Sequence, residues 1–251
     1  MKHFRPRLSR RAFWVLCALL VCLRLALTGF QQAYIWVGGA PLDDELMFRA
    51  ANHITAGQWL GAYDYLTLSK AMFFPVWLAL LHALHLPYLI GGTALWCGAT
   101  LLAAFAFSTL WRKKDPAQGR VLTLGLFAAL AFLPSSWAAY TLRVYRDNIF
   151  PALCLYFFAG MAGMALRAVF TPEKPLWPWL AAAGAGLACG YLDREDAGLF
   201  LLPFAAAATV IVAVVLAGKR RWKALAAQVI PYVMLGIGVL TFCTLNYTHY
   251  G

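Results

Sequence analysis

Long apolar runs broken by short charged connectors leave this chain few ways to fold. The runs cover residues 12–30, 88–110, 120–138, 149–168, 176–192, 197–217 and 224–244. A helix that crosses the hydrocarbon core needs about 20 predominantly apolar residues, so each run is a candidate span. An eighth apolar stretch, about 71–87, is shorter and contains His82, His85 and Pro87. Soluble domains carry roughly 25% charged residues. This chain of 251 residues carries 12%, with 63% hydrophobic. A soluble fold would need one very large core with almost no polar surface, whereas lipid covers a bundle of spanning helices. The expectation is an all-α polytopic transmembrane bundle of about seven spans, a single module over 1–251 with no separating linker.

Charge sorting fixes the expected topology. Cytoplasmic connectors collect Lys and Arg. With the N-terminus inside and seven spans, one side holds Lys2, Arg5, Arg7, Arg10, Arg11, Arg112, Lys113, Lys114, Arg120, Arg167, Lys174, Lys219, Arg220, Arg221 and Lys223. That is 15 of the 21 basic residues, while eight of the ten acids fall on the other side. If 71–87 also crossed, the 112–114 cluster would change sides and the sorting would collapse. The stretch is therefore placed as a juxtamembrane or re-entrant helix in a first outer loop, 31–87, with an eight-span arrangement as the alternative. The N-terminal apolar run lacks a small-residue cleavage site and is read as a retained helix.

The net charge of +11 invites a nucleic-acid role, but the basic residues are scattered over four connectors with no interleaved aromatics. Six cysteines, at 17, 22, 97, 154, 189 and 243, lie in apolar runs without a CxxC pair. They read as small buried residues.

Three charged constellations remain, all assigned to the outer side. Asp43-Asp44-Glu45 opens an amphipathic pattern over Leu46, Met47, Ala50, Ala51 and Ile54 that stops at Gly57. The pattern suits a helix lying on the outer leaflet. Acids at a helix start suit its dipole, but three in a row repel one another unless a cation relieves them. Glu45 is given the capping role, and Asp43 and Asp44 are functional candidates. Arg143, Arg146 and Asp147 cluster before the fourth span, where Arg and Tyr also serve as interfacial anchors. Asp193-Arg194-Glu195-Asp196 forms a tight charged turn, with Arg194 and Glu195 the candidates and a solvated turn the alternative. Lys70 either snorkels or joins this set. Arg24 lies deep in the first run, a functional candidate by depth unless it pairs structurally. His53 reads as solvated. His82 and His85 share a helical face but lack a third ligand. Carboxylates, arginines and a lysine at headgroup depth suit a divalent cation, a lipid phosphate or a carboxylate base.

The run DDELMFRAANHITAGQWLGAYDYLTLSK followed by AMFFPVWLALLHAL, with RVYRDNIF further on, resembles GT-C glycosyltransferases. Those polytopic enzymes include the protein O-mannosyltransferases and aminoarabinose transferases. The resemblance covers nearly the whole chain. It implies a seven-span module in a bacterial plasma membrane, N-terminus cytoplasmic, that transfers sugar from a polyprenyl-phosphate-linked donor to an acceptor hydroxyl with inversion. It further implies that Asp43 or Asp44 takes the acceptor proton or helps hold a metal. Asp147 becomes the second acid of that site, with Mg or Mn as the cation on Asp44 and Asp147. Lys70, Arg143, Arg146, Arg194 and Glu195 bind the donor phosphate or shape its site. Family members usually continue into more spans or an outer domain, so a front-half module is expected. The alternatives are a transporter or flippase for a lipid-linked sugar, and a non-catalytic relative that assists assembly. Against the transporter, only Arg24 sits at mid-membrane depth.

Overall fold

A computed structural model describes residues 7–35, 42–111 and 115–251. The described residues are helical, with one isolated bridge between Tyr34 and Arg143. In chain order the helices are α1 (Arg10–Thr28), α2 (Leu42–Thr55), α3 (Phe73–Ala83), α4 (Tyr88–Trp111), α5 (Pro116–Ala131), α6 (Ala139–Leu142), α7 (Phe150–Phe170), α8 (Trp177–Asp193), α9 (Ala197–Gly218), α10 (Trp222–Ala227) and α11 (Ile230–Tyr250). Single 3-10 turns cover Pro134–Trp137 and Arg146–Asn148.

Local chemistry sets several of the boundaries. The Ser9 hydroxyl accepts the Ala12 N–H at 3.1 Å and caps α1. Asp115 accepts the N–H groups of Ala117 and Gln118 and caps α5, with Pro116 in its first turn. Capping of this kind satisfies backbone donors that have no partner within the helix. Proline also occupies the first turn of α7, α8 and α11, where its missing N–H costs nothing.

Five helical segments are long and apolar enough to cross a membrane: Arg10–Thr28, Tyr88–Trp111, Arg146–Phe170, Ala197–Gly218 and Trp222–Tyr250. Two more of the expected spans form helices that fall short. α5 has 16 residues and α8 has 17, about 24–26 Å at 1.5 Å per residue against a hydrocarbon core of about 30 Å. The run expected at 120–138 starts earlier, at the Asp115 cap, and breaks at Pro134. The run expected at 224–244 becomes α10 and α11, separated at Gln228–Val229. α3 has 11 residues and is too short to span alone. α2 does not lie free on a leaflet. Its Met47 packs in a buried cluster with Phe74 of α3 and Ile149 and Leu153 at the start of α7.

Close pairs give the helix directions. Gly160 abuts Trp179 and Ala183, and Gly186 abuts Leu153 and Phe157, so α7 and α8 run antiparallel. Gly92 meets Asn148 and Gly98 meets Tyr156, so α4 and α7 run together. α8 and α11 run together, through Gly184 at Met234 and Gly238 at Leu192. α1 and α5 are joined at both ends, by Leu8 to Ala117 and by Arg24 to Ala131.

α4, α7 and α8 form the middle of the bundle. α9 and α11 bury under a fifth of their apolar windows and display Leu199 (79% exposed), Phe204, Ile211, Val214, Ile237 and Leu240. Soluble monomers rarely expose contiguous apolar surface on that scale, so these helices fit an integral membrane protein.

The α7–α8 contact depends on small residues, as membrane helix pairs often do. A Cβ on Gly160 would lie 2.6 Å from the Trp179 carbonyl oxygen, backbone that cannot move aside easily. Gly160→Val is therefore expected to cost at least about 1–3 kcal/mol by overpacking. Gly236→Val, where no atom lies within 4 Å, should change stability far less. Thermal unfolding of the two variants in detergent checks the difference.

Candidate functional site

With these directions, the ends of the bundle differ in charge. At one end α4 and α7 begin, α8 ends and α9 begins, and most of the acids gather there with Arg49, Lys70, Arg143, Arg146 and Arg194. At the other end α1 and α5 begin and α9 ends, and there the basic connectors lie. Lys2, Arg5 and residues 112–114 fall outside the described residues.

Asp44 stands in the first turn of α2, on the face that continues through Met47, Ala50 and Ala51 into the interior. Its side chain is fully buried. Arg143 Nε donates to both Asp44 oxygens, at 3.1 and 3.0 Å, and its Nη2 donates to Oδ1. Charge-assisted fork contacts of this type are the stronger class of hydrogen bond. The Arg143 backbone is fixed as well. Val144 N–H donates to the Tyr34 carbonyl, Tyr34 N–H to Leu142, and the Tyr88 hydroxyl to the carbonyls of Arg143 and Tyr145.

Asp43, one residue on around the helix, faces outward. Lys70 Nζ lies 2.9 Å from its Oδ2, and the Tyr145 hydroxyl donates to the same oxygen at 3.2 Å. Burial pushes the Asp43 carboxyl up, but the Lys70 ammonium and the Tyr145 hydroxyl outweigh it and hold the group below the ordinary carboxylate range. Lys70 is correspondingly raised, chiefly by its hydrogen bond to Asp43.

Arg146 is buried. Its Nη1 donates to Glu195 and its Nη2 to the Tyr145 hydroxyl, while its Nε is buried without a partner. The Tyr145 ring lies between two guanidinium groups, with Arg143 4.5 Å and Arg146 4.7 Å from the ring centre, within cation–π range. Glu195 also accepts the Ala71 N–H at 2.8 Å, which ties the segment after Lys70 to the α8–α9 turn. Burial raises the Glu195 carboxyl, yet the Arg146 and Ala71 donors bring it below its usual range. Arg194 forks onto Asp196 at 2.8 and 3.0 Å and donates to Asp147 at 3.0 Å.

The sequence candidates Asp43, Asp44, Lys70, Arg143, Arg146, Asp147, Arg194 and Glu195 thus fall into four neighbouring groups of ion pairs, with Tyr145 linking those of Asp43 and Arg146 by hydrogen bonds and stacking on Arg143. All four of their cations are engaged by carboxylates. Asp44 and Asp147 are each held by an arginine, and among the described residues no three His, Cys, Asp or Glu side chains gather as a metal site. As arranged, the donor set does not fit a divalent cation.

Arg24 is a structural residue. It is buried and donates to the Ala131 carbonyl, the Thr28 hydroxyl and the Ser136 carbonyl and hydroxyl, and its guanidinium lies 3.6 Å from the Trp137 ring centre. It closes the end of α5 onto the 3-10 turn that follows. His53 bonds Gln58, and His82 stacks edge-on to His85.

Set against protein-family models, curated proteins and solved structures, the chain matches none. The site therefore rests on its geometry alone.

Two groups were not singled out in the sequence. Tyr145, read there only as an interfacial anchor, bridges both arginines and Asp43. Asp193, at the end of α8 just past the apolar segment, is fully buried, and neither carboxyl oxygen has a partner. Its burial had a signal: it continues the inward stripe Ala183, Gly186, Leu187, Gly190 at spacings of three and four.

A groove of about 310 Å³ opens beside the network. Lys70, Arg194 and Glu195 stand at its polar side, and Leu192, Val239 and Phe242 line its apolar side.

Removing a buried ion's partner costs on the order of 3 kcal/mol. Arg143→Ala, which strips Asp44 of its fork, should fall near that value. Arg49→Ala, which breaks an exposed pair with Asp64, should lose less than about 1 kcal/mol. Unfolding midpoints of the two variants in one detergent decide it, and equal losses would contradict the ranking.

Proposed function

We propose that this chain is a membrane glycosyltransferase that moves a sugar from a polyprenyl-phosphate-linked donor to an acceptor hydroxyl. The groove is the observation that carries the reading. It offers an apolar wall and a cationic rim side by side, and a donor of this class is an apolar tail joined to a phosphate. In this reading all seven long helices cross a bacterial-type plasma membrane, α5 and α8 at reduced length, with the N-terminus cytoplasmic.

In the reaction, the acceptor oxygen bonds to the anomeric carbon as the bond from that carbon to the phosphate oxygen breaks. The electron pair leaves with the polyprenyl phosphate, and the hydroxyl proton passes to a carboxylate. Attack opposite the leaving group inverts the anomeric carbon. Asp43 suits the proton acceptor better than Asp44, because its side chain is partly exposed while that of Asp44 is enclosed under Arg143. Lys70 and Arg194 offset the charge that develops on the leaving phosphate, the kind of preorganised stabilisation that favours a transition state. A phosphate beside Lys70 competes with Asp43 for the ammonium, and release of that pair lets the carboxyl rise toward a basic role. Arg143, Arg146 and Glu195 hold the frame, and Asp147 positions Arg194.

A second reading, a non-catalytic partner, draws on the pairing of every site cation with a carboxylate. Incubating the purified chain with a panel of polyprenyl-phosphate sugars, and following release of free polyprenyl phosphate, separates the two. Loss of a general base costs about 10²–10⁴-fold in rate. Asp43→Asn should fall in that range and Asp147→Asn should lose less. Full activity in both variants removes the assigned roles, and donor binding without turnover by the unaltered chain favours the second reading.

A further inference from the structure

The opposite end of the bundle holds a second site, and its electrostatics are reversed. A cavity of about 440 Å³ lies between the end of α7, the start of α8 and the α9–α10 corner. Ala168, Leu176 and Ala224 supply its apolar lining, and Arg220, Arg221 and Lys223 supply its polar lining. No acid lines it; the acid next to the lining in sequence, Glu173 beside Pro172, is exposed, and the chain carries no Asp or Glu after Asp196. Among the described residues none of these three cations, nor the adjacent Arg167, Lys174 and Lys219, makes an ion pair, whereas the four cations of the first site all do. The lining cations therefore face the cavity with no protein carboxylate against them, and a bound anion would supply charge-assisted hydrogen bonds.

The surroundings specify what kind of anion. The cavity wall includes Trp222, which is 62% exposed, and Trp177 close by is 69% exposed. Exposed tryptophans beside arginine and lysine mark the headgroup level of a bilayer. Basic pockets between membrane helices, with apolar surface continuing away from them, match an acidic headgroup and its acyl chain. The volume falls within the range of small-molecule sites.

We infer that the α7–α8 and α9–α10 corners form a binding site for one anionic phospholipid. Its phosphate lies among Arg220, Arg221 and Lys223, and its first acyl carbons lie over Ala168, Leu176 and Ala224. The site is independent of the glycosyltransferase reading and lies at the other end of the bundle.

Native mass spectrometry of the full chain in a mild detergent, supplied with phosphatidylglycerol or with phosphatidylcholine, tests the site. The unaltered chain is expected to keep one phosphatidylglycerol at least tenfold more often than one phosphatidylcholine. Arg220→Gln/Arg221→Gln/Lys223→Gln should abolish that preference, and Arg220→Lys/Arg221→Lys should retain most of it. Arg10→Gln/Arg11→Gln, at the exposed start of α1 at the same end, should leave it unchanged. The lysine variant and the α1 variant keep the test decisive if the triple variant folds poorly. Equal retention of the two lipids overturns the inference, as does an equal loss in the α1 variant, which would mean diffuse attraction. Full displacement of the lipid by millimolar inorganic phosphate would also overturn it, because the site would then take a free anion and not a lipid.

Discussion

The fork between Arg143 and Asp44 fixes the rest of the outer architecture. It joins α2, which belongs to a loop, to the segment that leads into α7, which belongs to the bundle. A carboxylate enclosed as Asp44 is cannot stay charged at low cost without such a partner. The pair therefore sets the rotation of α2. That rotation turns Met47 inward onto Phe74 and Ile149 and leaves Asp43 outward toward Lys70. Tyr145 then carries the connection onward, from Asp43 to Arg146 and so to Glu195 in the α8–α9 turn. Three segments far apart in sequence become one surface.

The two ends of the molecule use charge in different ways. At the first, cations and carboxylates neutralise one another, so the network can sit partly buried beside apolar helices. At the second, the cavity cations Arg220, Arg221 and Lys223 have no carboxylate partners among the described residues, although Arg7 at the same end pairs with Asp115. The first arrangement suits a ligand that exchanges ion-pair partners as it binds, because a phosphate can take Lys70 while Asp43 keeps the Tyr145 hydroxyl. The second suits an anion held in place.

Much of this was legible in the sequence, and the failures have physical causes. Five of the seven apolar runs coincide closely with one helix each, because composition alone limits such segments. The boundary errors lie where polar or cyclic residues compete with hydropathy: the Asp115 cap and Pro134 shift α5, and Gln228 with Pro231 splits the last run. Whether α5 and α8 cross could not be read from hydropathy, because each stops short of a full core thickness. The acids were recognisable as a set, but their division of labour was not. Asp43 and Asp44 differ by about 100° around α2, and which of them is enclosed follows from the partner, Arg143, that tertiary structure brings to Asp44. Arg24 was conspicuous by depth, yet its acceptors are carbonyls at the end of α5 and in the turn beyond it, which no charge pattern announces.

The account stands on the two charged ends lying on opposite sides of one membrane. Single cysteines at Tyr65, 90% exposed in the loop between α2 and α3, and at Lys219, exposed at the basic end, report on this directly. The six native cysteines are first replaced by serine or alanine. A membrane-impermeant maleimide applied to intact cells should label position 65 and reach position 219 only after the membrane is opened. Labelling of both positions from the same side would place the two ends in one compartment and contradict the account.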